Sequence, residues 1–134
     1  MTEKKVVIIT GSARGIGSAC MRLFARHCYA AVGLDLLAEG QTVADEIQKE
    51  GRTALFQTCD GANEAQVADC VGQAVKKFGP VDVLVNNAVH CEDPDTIFTT
   101  SAGSLDRYYA VNIRGTVLLI HEFIRRYRQR QGSW

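Results

Sequence analysis

Lys5-Val-Val-Ile-Ile-Thr10, followed at once by Gly11-Ser-Ala-Arg-Gly-Ile-Gly17, decides the fold. The first part is apolar with no polar face, which suits a strand covered on both sides. The second carries Gly11, Gly15 and Gly17 in the pattern G-x-x-x-G-x-G. Ile16 to Cys28 then reads as a helix, with Ile16, Cys20, Leu23 and Phe24 on one stripe. Strand, glycine-rich turn and helix together make a phosphate-binding arrangement. The chain must turn sharply, let an anion approach its backbone, and seat the helix against the strand. The helix N-terminus then offers unpaired N–H groups, so Ser12, Arg14, Gly15 and Ile16 are expected around the ligand. A glycine trio alone is weak evidence, because any tight turn favours glycine; its place between an apolar strand and a helix strengthens it.

The rest of the chain repeats the alternation. Strands are expected at Ala30 to Leu34, Thr53 to Thr58 and Val81 to Val85, and helices at Gln41 to Glu50 and Asn63 to Phe78. In the Asn63 helix, Val67, Val71, Ala74, Val75 and Phe78 share a face. Asn63 can cap its start, Gln66 fits a capping box, and Gly79-Pro80 stops it. Apolar strands alternating with helices predict an α/β fold with a parallel sheet covered on both faces, in a single domain over 1–134. Val89 to Gly103 reads as a polar loop, and a last helix as running from about Ser104 to Arg128.

Composition excludes several classes. Of 134 residues, 46% are apolar and 22% charged, with Lys plus Arg equal to Asp plus Glu at 15 each. A neutral balance argues against a nucleic-acid partner, which needs a basic surplus. No apolar run approaches the roughly 20 residues of a membrane span, and the N-terminus does not read as a secretory signal. Cys20, Cys28, Cys59, Cys70 and Cys91 are odd in number and form no C-x-x-C, so reduced, mostly buried thiols and a cytoplasmic location are expected. His90, Cys91, Glu92, Asp93 and Asp95 fit no zinc spacing, so no metal site is assigned. His27 and His121 read as helix-surface residues, and Arg125, Arg126, Arg128 and Arg130 as complements to a helix dipole.

Asp35 ends the second strand. A carboxylate there suits the adenosine ribose hydroxyls of NAD and repels the 2′-phosphate of NADP. Arg14 pulls the other way, but Leu36 adds no second positive charge. NAD is the expected cofactor, in preference to NADP.

With these residues in place, the sequence resembles the classical short-chain dehydrogenases/reductases over its entire length. The Gly11/Gly15/Gly17 spacing, Cys59-Asp60, Asn86-Asn87-Ala88 and Val111-Asn112-Ile-Arg-Gly-Thr116 match that family's signatures in order. The resemblance implies a Rossmann-type sheet of order 3-2-1-4. It implies that Asp60 meets the adenine amino group and that Asn112 holds a water in a proton relay. Asn86 is expected to brace neighbouring strands, while Asn87 and the Ala88 backbone meet the cofactor. Two departures stand out. Val89 replaces the family's usual glycine, which either crowds that turn or is tolerated there, and Gly61 replaces a larger apolar residue and thins the adenine wall.

The family's catalytic Tyr-x-x-x-Lys does not occur in these 134 residues, leaving Asn112 as the only member of the catalytic set. This reads as truncation before the family's Ser, Tyr and Lys. The expected function is an NAD(P)-dependent oxidoreductase acting on a small alcohol or carbonyl substrate, shown as its dinucleotide-binding part. The alternatives are a non-catalytic dinucleotide-binding module, or an interaction protein pairing through its last helix. That helix is apolar all round at Val117-Leu-Leu-Ile120, with Phe123 and Ile124 beyond. Its outer face is covered either by further parts of the same chain or by a second subunit; on the latter reading a homo-oligomer through Tyr108 to Ile124 is expected, with Leu118 and Leu119 in the contact.

Overall fold

The computed structural model describes residues 3–91 and 96–132. Within the expected loop, Glu92, Asp93 and Asp95 lie outside the described residues. Four strands, β1 (Val6–Thr10), β2 (Ala30–Asp35), β3 (Ala54–Thr58) and β4 (Val81–Val85), form one parallel sheet in the order β3-β2-β1-β4. Every residue of β1 is buried. The strand alternation divides the core in two. Val6, Ile8, Val32 and Leu34 face α3 (Glu64–Phe78) and α5 (Thr116–Gln131), while Val7, Ile9 and Ala31 face α1 (Gly15–Arg26) and α2 (Gly40–Lys49).

The inward face of α1 differs from the expected stripe. Gly17, Met21 and Ala25 are buried, with Cys20 and Phe24 packed beside them, whereas Ile16 is 75% and Leu23 56% exposed. The reason is a close approach: a β-carbon at Gly33 of β2 would stand 2.4 Å from the Met21 sulfur, so the glycine lets Met21 reach the sheet. The helix also ends before Cys28. Cys28 N–H donates to the Ala25 carbonyl and Tyr29 N–H to the Phe24 carbonyl, with Cys28 left-handed at φ 66, a closing turn in which glycine is commoner.

The α3 cap stands at Asn63, whose side-chain oxygen accepts from Gln66 N–H. The capping box is altered. Gln66 Oε1 accepts from Asp60 N–H at 2.8 Å, while Asn63 N–H donates to the Asp60 carbonyl. The β1–β4 register slips between Val6 and Val7, and the Asp82 carboxylate accepts the Val6 N–H at 2.8 Å.

The expected last helix is a composite. α4 (Ala102–Tyr108), capped by Ser101, runs into a wide π-type turn at Tyr109–Gly115 and then into α5. No helix of the described residues is long and apolar enough to cross a membrane. Leu119 is 2% exposed and belongs to the core, so it is not on the outer surface as expected, and Leu118 is half-buried. The outward stripe is instead Leu105, Tyr109, Ile113, Val117, Ile120, Ile124 and Tyr127, all exposed. Nor do Arg125 and Arg126 simply complement the dipole. Both bond the buried Glu122, and Arg126 also donates to the Ala68 carbonyl of α3 at 3.3 Å. Of the cysteines, Cys59 and Cys70 are buried, Cys20 is half-buried, and Cys28 and Cys91 are exposed, which corrects the mostly buried reading. His27 and His121 are exposed.

Burial opposes the charge on Glu122, but the Arg125 and Arg126 guanidiniums outweigh it and hold the carboxyl below its ordinary range. A depressed carboxyl stabilises the fold above its unfolded-state pKa, and that contribution is lost as pH falls through the folded-state value. Thermal melts of wild type and Glu122→Gln should therefore differ most near neutrality and converge at acid pH. A gap that stays constant across the titration would contradict this.

Candidate functional site

The strand ends at Thr10, Asp35, Cys59 and Asn86 open onto one cleft of about 660 Å³. Its floor begins at the glycine turn. Gly11 and Gly15 adopt φ of +65 and +58. A β-carbon on Gly17 would stand 2.0 Å from the Gly11 carbonyl oxygen, and one on Gly11 would stand 2.9 Å from both the Ala88 Cα and the Asn87 amide nitrogen. At Gly15, by contrast, nothing lies within 4 Å of such an atom. Gly11 and Gly17 are thus required by packing, and Gly15 by a left-handed backbone beside open space.

Where the turn's N–H groups go is telling. Gly11 and Ser12 N–H donate to the Leu34 carbonyl, and Ala13 N–H donates to Asp35 Oδ2 at 2.9 Å. Beyond them, α1 begins with no side-chain cap. Its first N–H groups meet the cleft at Gly15 and Ile16, an arrangement that suits an anion.

Thr10 ties the two halves of the sheet together. Its buried hydroxyl accepts the N–H groups of Asn87 and Ala88, each at 3.0 Å. The Asn87 amide in turn donates to the carbonyls of Thr10 at 3.1 Å and Gly11 at 3.2 Å. The bracing expected of Asn86 therefore belongs to Asn87; Asn86 is exposed. Nothing in the sequence singled out Thr10, because its partners lie at the far end of β4.

Gly11, Arg14, Gly15, Ile16, Asp35, Asp60, Gly61, Asn87 and Ala88 all lie on the cleft wall, as expected. Ser12 does not: it is fully buried, its hydroxyl without a hydrogen-bond partner among the described residues. Gly17 is buried in packing rather than on the wall. Val89 is 68% exposed, in keeping with a turn that tolerates it. A β-carbon at Gly61 would meet nothing within 4 Å, in keeping with a thin wall there, and one at Gly115 would stand 3.1 Å from the Gly61 carbonyl oxygen.

Asp35 does more than face the cleft. Oδ2 receives Ala13 N–H and Oδ1 receives Leu37 N–H at 3.0 Å, so it also fastens the glycine turn. A carboxylate accepts about four hydrogen bonds, which leaves capacity for a ligand. Asp60 Oδ1 similarly receives Ala62 N–H. Asn112 lies within the π-type turn. Its amide oxygen accepts His90 N–H at 2.7 Å, and its amide nitrogen donates to the His90 carbonyl at 3.0 Å. The amide is thereby engaged with the loop after β4.

The family model for short chain dehydrogenases matches residues 5–133. The chain belongs to that family. It is 40% identical over 119 residues to short-chain dehydrogenase reductase 3a of Arabidopsis thaliana, covering 88% of this chain and 46% of the relative. Among solved structures, 3-ketoacyl-(acyl-carrier-protein) reductase from Brucella melitensis, complexed with NADH, matches with TM-score 0.85 and 35% identity, covering 95% of this chain and 51% of its own. A metagenomic short-chain oxidoreductase in complex with NADP matches with TM-score 0.87 and 27% identity, covering 96% of this chain and 59% of its own. This short-chain dehydrogenase chain spans about half the length of the relatives it matches.

Thr10→Val keeps the shape of the side chain but leaves the Asn87 and Ala88 N–H groups without their acceptor. The expected loss is about 1–3 kcal/mol in urea unfolding. A loss below about 0.5 kcal/mol would mean that water replaces the hydroxyl.

Proposed function

We propose that this chain binds NAD along the cleft and is the nucleotide-binding part of an oxidoreductase acting on a small alcohol or carbonyl compound. The observation that carries this reading is the uncapped first turn of α1, set behind Gly15 on the wall of the cleft. When bound, the nicotinamide ring supplies the site that accepts or gives hydride. The chain's own residues bind and orient. The amides of Gly15 and Ile16 would hold the pyrophosphate, Asp35 the adenosine ribose hydroxyls, Asp60 the adenine amino group, and the Ala88 backbone the second ribose. Asn112 is assigned a positioning role: one N–H and one lone pair of its amide hold His90, and the second N–H and lone pair are left for a water or ligand.

Solved relatives carry either NADH or NADP, so the preference rests on this chain's own residues. A 2′-phosphate would stand against the Asp35 charge, with Arg14 opposing it only in part. Calorimetric titration should give tighter binding of NADH than of NADPH. Asp35→Ala should weaken NADH and narrow the gap. Equal or tighter NADPH binding by the wild type would reverse the assignment.

The 134-residue polypeptide contains no Tyr-x-x-x-Lys. It should show no turnover of alcohols or carbonyls above background, because general acid–base help is typically worth about 10² to 10⁴ in rate. Reproducible turnover by purified chain, abolished by Asn112→Ala, would mean that another group moves the proton.

A second reading, pairing with another copy of this chain, is favoured by the exposed stripe from Leu105 to Tyr127 and by β4, whose sheet neighbour is β1 alone among the described residues. Size exclusion with light scattering at low micromolar concentration should give a dimer or larger species. Ile120→Lys, on the stripe, should disrupt it, since burying an unpaired charge costs several kcal/mol. A monomeric, cooperatively melting wild type would contradict the pairing.

A further inference from the structure

A second, smaller crevice opens at the other end of the sheet, where β4 begins. It measures about 260 Å³, lies between α3 and α5, and shares no wall residue with the larger cleft. Val71 and Val75 of α3, Val81 of β4 and Phe123 of α5 form its apolar wall. Val71 and Val75 stand one helical turn apart. Phe123, Arg126 and Arg130 recur at the three- and four-residue steps that keep side chains on one face of a helix. Arg126 and Arg130 are the only charged side chains on this wall among the described residues.

Both arginines are held by acids that stand off the wall. Arg126 donates through Nε to the buried Glu122 and through Nη2 to the Ala68 carbonyl, which leaves Nη1 without a bond among the described residues. Gly72 makes room for it, since a β-carbon there would stand 3.2 Å from Nη2. Arg130 meets Asp82 only through Nη1, at a long 3.4 Å, so its Nε and Nη2 are unspent. A guanidinium carries five N–H donors in a fork that suits a carboxylate. Neither Glu122 nor Asp82 lines the crevice. The buried Val71 and Val81 lie at its base and the partly exposed arginines at its rim, with no carboxylate on the wall.

We propose that this crevice binds a short aliphatic carboxylate, its tail on the valines and Phe123 and its head on Arg126 and Arg130. The volume sets the size. Drug-sized ligands occupy pockets from roughly 300 Å³ upward, so a chain on the scale of hexanoate suits the space. An alcohol of the same length gives up the charge-assisted bonds, a cation meets two positive charges, and a small anion leaves the apolar base uncovered.

The test adds sodium hexanoate to the methyl-labelled 134-residue chain and follows the signals of Val71, Val75 and Val81. Hexan-1-ol, hexylamine and acetate are run in parallel at the same ionic strength. The expected result is a saturable shift with hexanoate and at least about tenfold weaker binding of the other three. Arg130→Gln, which leaves the Glu122 cluster intact, should weaken hexanoate by about three- to tenfold and leave hexan-1-ol unchanged. No saturation by hexanoate, equal binding of any of the other three, or unchanged affinity in Arg130→Gln would overturn the proposal. So would shifts confined to Gly15 and Ile16, which would assign the anion to the larger cleft. Shifts at Val71 and Val75 on dilution alone would also overturn it, by assigning the crevice to a second copy of this chain.

Discussion

At Gly11 three pieces of backbone meet with no space for a side chain. The Gly17 turn of α1 lies against the Gly11 carbonyl, and the Asn87–Ala88 segment lies against its Cα. This crowding sets the angle at which α1 leaves β1, and so sets the direction of the helix's free N–H groups. It also brings the end of β4 onto the end of β1, where the Thr10 hydroxyl accepts the Asn87 and Ala88 N–H groups and the Asn87 side-chain amide donates to the Thr10 carbonyl. Asp35 completes the lock from β2 by holding Ala13 N–H. The cleft is what remains open once these strand ends are fixed, and its chemistry is largely that of backbone amides.

The opposite face of the sheet is organised differently. There α5 is held to α3 by a buried carboxylate rather than by apolar contact alone. Glu122 gathers Arg125 and Arg126, and Arg126 passes on to the Ala68 carbonyl. Gly72 belongs to the same contact, since a β-carbon there would stand 3.2 Å from the Arg126 guanidinium. One side of α5 is thereby committed to the sheet through Leu119 and Phe123, and the apolar residues on its other side face outward.

Much of this was legible in the sequence, for a physical reason. Strands covered on both faces show as unbroken apolar runs, as β1 does, and β4 begins and ends at the valines expected although Asp82 interrupts its run. The strand order came with the family resemblance, not from periodicity. What stayed hidden depends on partners distant in the chain. Thr10 looks like one more strand residue until Asn87 is brought beside it. Asn86 and Asn87 are chemically identical, and only the strand's direction at its end decides which one turns inward. The α1 stripe departs from its periodicity because Ile16 lines the cleft, while Gly33 makes room for Met21. The π-type turn has no local signature; it coincides with the Asn112–His90 bonds and the approach of Gly115 to Gly61.

The central claim is that the locked strand ends and the open first turn of α1 form one nucleotide site. Backbone amide chemical shifts of the ¹⁵N-labelled chain, followed during addition of NADH, test it most directly. The account predicts saturable shifts at Gly15, Ile16, Asp35, Gly61 and Ala88, with little change at residues on the far face such as Arg126 and Arg130. Shifts confined to that far face, or none at saturating NADH, would contradict it.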